Sequence, residues 1–362
     1  MVVYSKLSGA GQEGYSPITE SSPSGAEAAT GRSTLSKFHC WVSRVLAYSF
    51  CLVLFTGCLA PPTGLLRPNG VAVATDGSLY VMDRGNYRVV HLSADGRFLD
   101  SFGRLGPGPN DIYNGWDIAL DAAGNIYICN MVIREDGSGV AHDGVKVFAP
   151  QGRLVRELGG QDYTYNESIS RNSPYDVDID AEGRVYVAEF GANILQVFTP
   201  QGQPLARFFG QTGSADGEFR GLVAVGVDNR RNLVYLVDQF NSRVQQFRRT
   251  ITETGDITLT HTLTFGSYGR QPGQLAYPQY MAIDETSGQV YVSDTANQRI
   301  QVFNDQGEYV TEFSPLAQAG LKTWQVLGIA LGRDGVVYAV DAFNNVIWVF
   351  EANGQLRGRL EV

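Results

Sequence analysis

One six-residue pattern recurs six times: Ser78-Leu79-Tyr80-Val81-Met82-Asp83, then 125–130, 184–189, 233–238, 289–294 and 336–341. Each copy is a short apolar run with Tyr at its third place, closed by Asp, Asn or Glu. Alternating β-branched and aromatic residues mark a strand. Repetition at a period of tens of residues outweighs any isolated motif, because stacked copies of one supersecondary unit must share a continuous core.

Around each cassette lie three further runs. An apolar segment precedes it, as in Gly70-Val71-Ala72-Val73 and Met281-Ala282-Ile283-Asp284, and a Gly turn joins the two. A third run follows, as in Arg299-Ile300-Gln301-Val302-Phe303, and then a fourth such as Arg97–Phe102. The 42 glycines fit this reading, since tight hairpins need positive φ. The expectation is an all-β, six-bladed β-propeller of four-stranded antiparallel blades. Its blades span 66–103, 113–159, 173–210, 219–266, 277–314 and 324–362. No strand exchange closing the ring is visible, so contacts between the first and last blades must close it, unless Leu65-Leu66 add an edge.

The pattern Gly-Ile-Ala-Val-Asp, Val-Tyr-Val-x-Asp, Asn-x-Arg-Ile-Gln-Val-Phe resembles the NHL repeat. Ala282–Asp284, Val290–Asp294 and Asn297–Phe303 come nearest to it. The resemblance runs over 66–362 and implies an NHL-type propeller.

Residues 1–57 read differently. The first 36 are rich in Ser, Gly, Ala and Thr without apolar period, which predicts disorder. Val45–Phe55 is an apolar run of signal-peptide length, preceded by Lys37 and Arg44. Thr56-Gly57-Cys58 after it resembles the bacterial lipobox, which implies cleavage before Cys58 and a lipid on its sulfur. Residues 58–65 are then a lipidated tether. The expected location is the cell envelope, at the outer membrane or periplasmic face. An uncleaved single-pass anchor and a secreted protein are the alternatives. Initiation at Leu35 or Val42 would give the signal an ordinary length.

The net charge is −9, and residues 1–57 contribute none of the acidity. An acidic body argues against nucleic acid, which requires a basic footprint. Cys129 is the one cysteine inside the repeats, where a buried thiol is expected.

Antiparallel alternation puts the blade-to-blade linkers and the second-to-third loops on one face of the disc. The long segments 159–172, 210–218, 266–275 and 314–323 lie there, with the insertion 131–143. Long loops on a rigid scaffold carry binding, so this linker face is the expected functional face. In register, the first strands begin with Gly70, Asp117, Asp176, Ala224, Tyr280 and Gly328. Asp178 stands two residues beyond Asp176, and Glu189 replaces the usual closing Asp of the cassette. Asp117, Asp176, Asp178 and Glu189 could gather around Ca2+ or another divalent cation. Alternatively, Asp176 and Asp178 bond loop amides or pair with Arg171 or Arg220. Trp116, Tyr175, Tyr280 and Trp324 are the expected aromatic contacts on the same rim, suited to protein, peptide or glycan. The recurring Asp83, Asp238, Asp294 and Asp341 obey the repeat and read as scaffold.

No Ser-His-Asp arrangement, HExxH or phosphate loop is present. An NHL-like propeller also forms the peptidyl-α-hydroxyglycine α-amidating lyase, but His91, His142 and His261 fall at unrelated blade positions and provide no matching zinc site. The function expected is therefore a non-catalytic, lipid-anchored binding module with no catalytic residues. The alternative is a cation-dependent hydrolase, lactonase-like, or a lyase, built on the acidic cluster.

Overall fold

A computed structural model describes residues 64–106, 108–133, 140–159 and 173–362. The readings of signal, lipidation at Cys58 and tether lie outside these residues, apart from its last two, 64 and 65. So do the tip of the blade 2 insertion and most of the 159–172 linker. No helix among the described residues is long and apolar enough to cross a membrane.

Twenty-four strands form six four-stranded sheets, each antiparallel and in sequence order. The sheets cover 71–102, 115–158, 174–209, 222–265, 278–313 and 326–360, called blades 1 to 6 below. The first strand of each blade contacts the first strand of the next, and that of blade 6 contacts that of blade 1, so the ring is closed. The fold is the expected six-bladed propeller.

The cassettes are the second strands, and they are buried on both faces. Their near-continuous apolar character follows, since each blade is sandwiched between two others. The core is six wedges, one per blade junction. Between blades 3 and 4, for example, Tyr186, Leu195 and Val197 meet Phe219, Val234 and Phe247.

The junction of blades 6 and 1 closes by packing, with Leu65, Val81 and Leu92 against Val340, Ile347 and Val349. One backbone bond ties the innermost strands there, from the Gly328 amide to the Asn69 carbonyl (2.9 Å). A Cβ on Gly328 would stand 2.5 Å from that oxygen, so only glycine allows this approach.

The closing residue of the cassette organises the linker face. Asp294 accepts the Ala276 amide (2.6 Å), the Asn297 side chain and Arg299 Nε (2.7 Å). Asp83 and Asp238 repeat the arrangement with Asn86 and Arg88, and with Asn241 and Arg243. In blade 6, Trp348 Nε1 bonds Asp341 where the others use arginine (3.0 Å). These carboxylates are buried scaffold, as their recurrence predicted. The insertion in blade 2 lengthens its middle hairpin, Ile126–Ile133 against Val140–Phe148. Its counterpart on the opposite face is the blade 4 hairpin Arg243–Ile251 and Ile257–Phe265.

Candidate functional site

The acids and aromatics expected on one rim occupy two levels. First strands converge on the propeller axis, where a cavity of about 250 Å³ is lined by Asp117, Asp176, Asp178, Tyr280, Met281 and Glu285, among others. Glu285 belongs to a first-to-second turn, so the cavity reaches toward the face opposite the linkers. Tyr280, only 2% exposed, lies across the axis at the linker end, and its hydroxyl donates to the Trp116 carbonyl (3.3 Å).

The carboxyls stitch neighbouring first strands together. Asp176 Oδ2 accepts the Val225 amide (2.7 Å) and Asp178 Oδ2 accepts the Val227 amide (2.7 Å), both one blade on. Asp178 Oδ1 also accepts the Ile179 amide (2.8 Å), and Asp117 Oδ2 accepts the Val177 amide more weakly (3.4 Å). At these junctions the side chains satisfy first-strand amides that would otherwise be buried unpaired. Asp117 and Asp176 also bond each other. Burial raises all three acids, Asp117 to about 6 and Asp178 to about 7; Asp176 is pushed well up by burial and by Asp117 beside it. A proton shared between the Asp117 and Asp176 carboxyls relieves the repulsion.

The acids expected to hold a cation are engaged by backbone amides. Among the described residues, no group of three or more His, Cys, Asp or Glu is arranged to hold a metal ion. Each of Asp117, Asp176 and Asp178 aims one oxygen at an amide of the next blade's first strand, and Asp178 aims its other oxygen at the Ile179 amide of its own strand. Glu189 is buried at the end of the strand Val185–Glu189. The bonds go to first-strand amides, and among the described residues no arginine pairs with either Asp176 or Asp178.

The aromatics form a continuous path above the axis. Trp116 stacks on Tyr175 (4.5 Å between centroids), and Tyr175 contacts Tyr280 (6.0 Å) and Phe190 (5.8 Å). Phe190 continues to Phe240 (5.9 Å) and Phe240 to Tyr277 (5.9 Å, edge-on). Phe240 and Tyr277 are 53% and 52% exposed, whereas Tyr280 is enclosed beneath the path. Gly221 forms the floor: a Cβ there would lie 2.9 Å from both Phe190 and Phe240, and its φ is +83°. At the other end the Arg84 guanidinium lies 3.8 Å over the Trp116 ring, a cation–π geometry.

Trp324 lies apart from the other three aromatics, 1% exposed and packed with Phe350 and Phe313 in the wedge between blades 5 and 6. The short helix Pro315–Ala319 in the preceding linker brings Leu316 against the same cluster. Sequence reasoning did not single out Arg84, Phe190 and Phe240. Their signal was position, since each follows a closing Asp or Glu by one or two residues, at the start of a second-to-third loop.

The chain is thus a six-bladed β-propeller, and the NHL repeat family model matches two stretches of it, residues 65–92 and 275–303. Among known proteins it is 26% identical over 149 residues to the protein brain tumor of Drosophila melanogaster, covering 41% of this chain and 13% of that one. It is 22% identical over 283 residues to human NHL repeat-containing protein 3, covering 66% and 79%. It is 23% identical over 310 residues to peptidyl-glycine alpha-amidating monooxygenase B of Xenopus laevis, covering 78% and 33%. The chain therefore spans a small part of the first and third relatives and most of the second. A gluconolactonase structure from Xanthomonas campestris superposes with a TM-score of 0.55 at 14% identity, covering 79% of this chain and 86% of that one. At that identity the likeness concerns the fold alone.

Proposed function

We propose that this protein is a non-catalytic binding module whose linker face takes a protein or peptide partner. The observation that carries the reading is the aromatic path from Trp116 to Tyr277, solvent-exposed at Phe240 and Tyr277 and backed by a rigid blade core. Large rings held without loss of side-chain freedom are the usual anchors of protein interfaces. The acids beneath the path are engaged by backbone amides, which weighs against a hydrolase or lyase built on them. We further assign the module to the cell envelope, carried by a lipid on Cys58, from the apolar run and lipobox-like residues before it.

The test is cross-linking in the native cell, comparing wild type with the Phe240→Ser/Tyr277→Ser double variant. Both side chains are half-exposed, so the variant should keep its melting temperature within a few degrees and lose its cross-linked partners. An unchanged set of partners refutes the linker-face reading. For the anchor, Cys58→Ser should release the protein from membranes; full retention refutes it.

A further inference from the structure

Arg84 is the first residue after the closing Asp83 and begins the short helical turn Arg84–Asn86 on the linker face. Its Nε donates to the Asn114 side chain (2.7 Å), which leaves the two terminal nitrogens for another acceptor. Among the described residues no carboxylate pairs with it, although the protein is acidic and Arg88, Arg243 and Arg299 each have an aspartate. Partial burial pulls its guanidinium below the usual arginine range, and Arg67 nearby adds like charge that acts the same way. An arginine is thus held half-buried on Trp116, beside a second cation and, among the described residues, without a carboxylate partner.

Two further features lie at this end of the linker face. Asn69 and Trp116 stand just before the aligned Gly70 and Asp117, at the linker ends of the first strands of blades 1 and 2, and their Nδ2 and Nε1 are buried with no acceptor among the described residues. Arg67, on the linker before blade 1, adds a second positive charge near Arg84. The open Arg84 nitrogens and this local positive charge, beside an aromatic path, are complementary to a carboxylate flanked by apolar side chains.

We propose that this end of the linker face recognises an acidic side chain of a peptide partner: a glutamate or aspartate pairs bidentately with Arg84, and neighbouring apolar residues lie along Trp116, Tyr175, Phe190 and Phe240. The inference rests on the linker face being the binding surface, and it adds the chemistry of the partner. Arg84 is the specificity-determining residue, and Arg67 strengthens the local field.

The experiment is selection of a random dodecapeptide display library on the full chain, held in mild detergent. The peptides enriched should share one acidic position within a few residues of aromatic or aliphatic ones. A synthetic copy of the strongest should lose about tenfold or more in affinity on Arg84→Gln, as expected for a charge-assisted bidentate pair. Replacing its acidic residue by the amide should cost a similar factor on wild type and make binding insensitive to Arg84→Gln. If Arg84→Gln fails to fold, the peptide-side exchange and Arg67→Gln carry the comparison. Peptides without a shared acid, or indifferent to Arg84, overturn the inference. So does a phosphoserine copy that binds more than tenfold tighter than the glutamate peptide. Peptides sensitive to Phe240→Ser/Tyr277→Ser but not to Arg84→Gln overturn this inference alone, whereas no enrichment at all overturns the linker-face reading beneath it.

Discussion

Asp178→Asn should change how stability depends on pH. In the folded protein Asp178 accepts amides from Val227 and Ile179, and burial holds its pKa at about 7 against the ordinary aspartate value of 3.8. The folded state therefore binds a proton that the unfolded chain releases. Stability from this group is complete below the unfolded value, declines as pH rises, and is lost above pH 7. Between pH 5 and 8 the loss works out at about 2.5 kcal/mol, from 1.36 kcal/mol per unit over the titrating range. The asparagine does not titrate. It keeps one carbonyl for one amide and points an NH2 at the other, a cost of roughly 1–3 kcal/mol at pH 5. Denaturant unfolding at the two pH values, with an unchanged m value, measures both terms. The stability of wild type minus that of the variant should fall by about 2.5 kcal/mol from pH 5 to 8, enough to vanish or change sign, as the linkage requires. Groups common to both proteins cancel in the comparison. A gap that does not vary with pH refutes the reasoning, because it would mean that the carboxyl is already ionised at pH 5.

Two further predictions concern the frame. Gly328→Ala should destabilise by at least about 2 kcal/mol by forcing blades 6 and 1 apart at the Asn69 carbonyl, whereas Gly255→Ala, at φ +88° with nothing within 4 Å, should cost only about 1; equal losses in melting temperature would contradict the closure described. Trp324→Ala should cost roughly 3–5 kcal/mol, the range for a large buried aromatic, and leave peptide affinity unchanged; weaker binding by a folded variant would return Trp324 to the rim.

The residues differ in how far the sequence alone exposed them, and the difference follows contact range. Asp83, Asp238, Asp294 and Asp341 were legible because their partners, an Asn three and an Arg or Trp five to seven residues on, recur with them. Asp117, Asp176 and Asp178 were legible only as departures from the repeat. Their partners are amides 49 or 60 residues away, and no local pattern marks an amide as needing an acceptor. Trp324 looked like a rim residue because its linker is long, yet the helix at 315–319 brings that linker inward. Arg84 was hidden, since it matters only through Trp116, 32 residues on in the next blade.

Strand number, blade count and the face bearing the long loops follow from periodicity, because alternation and turn spacing are local and repeat six times. Where the blades meet is another matter. The seal of Tyr280 over the axis, the raised pKa values of the acids beneath it, the aromatic path and the stacking of Arg84 on Trp116 all arise between blades. They depend on which side chains the closing of the ring forces into one desolvated space, and so they exist only once the ring has closed.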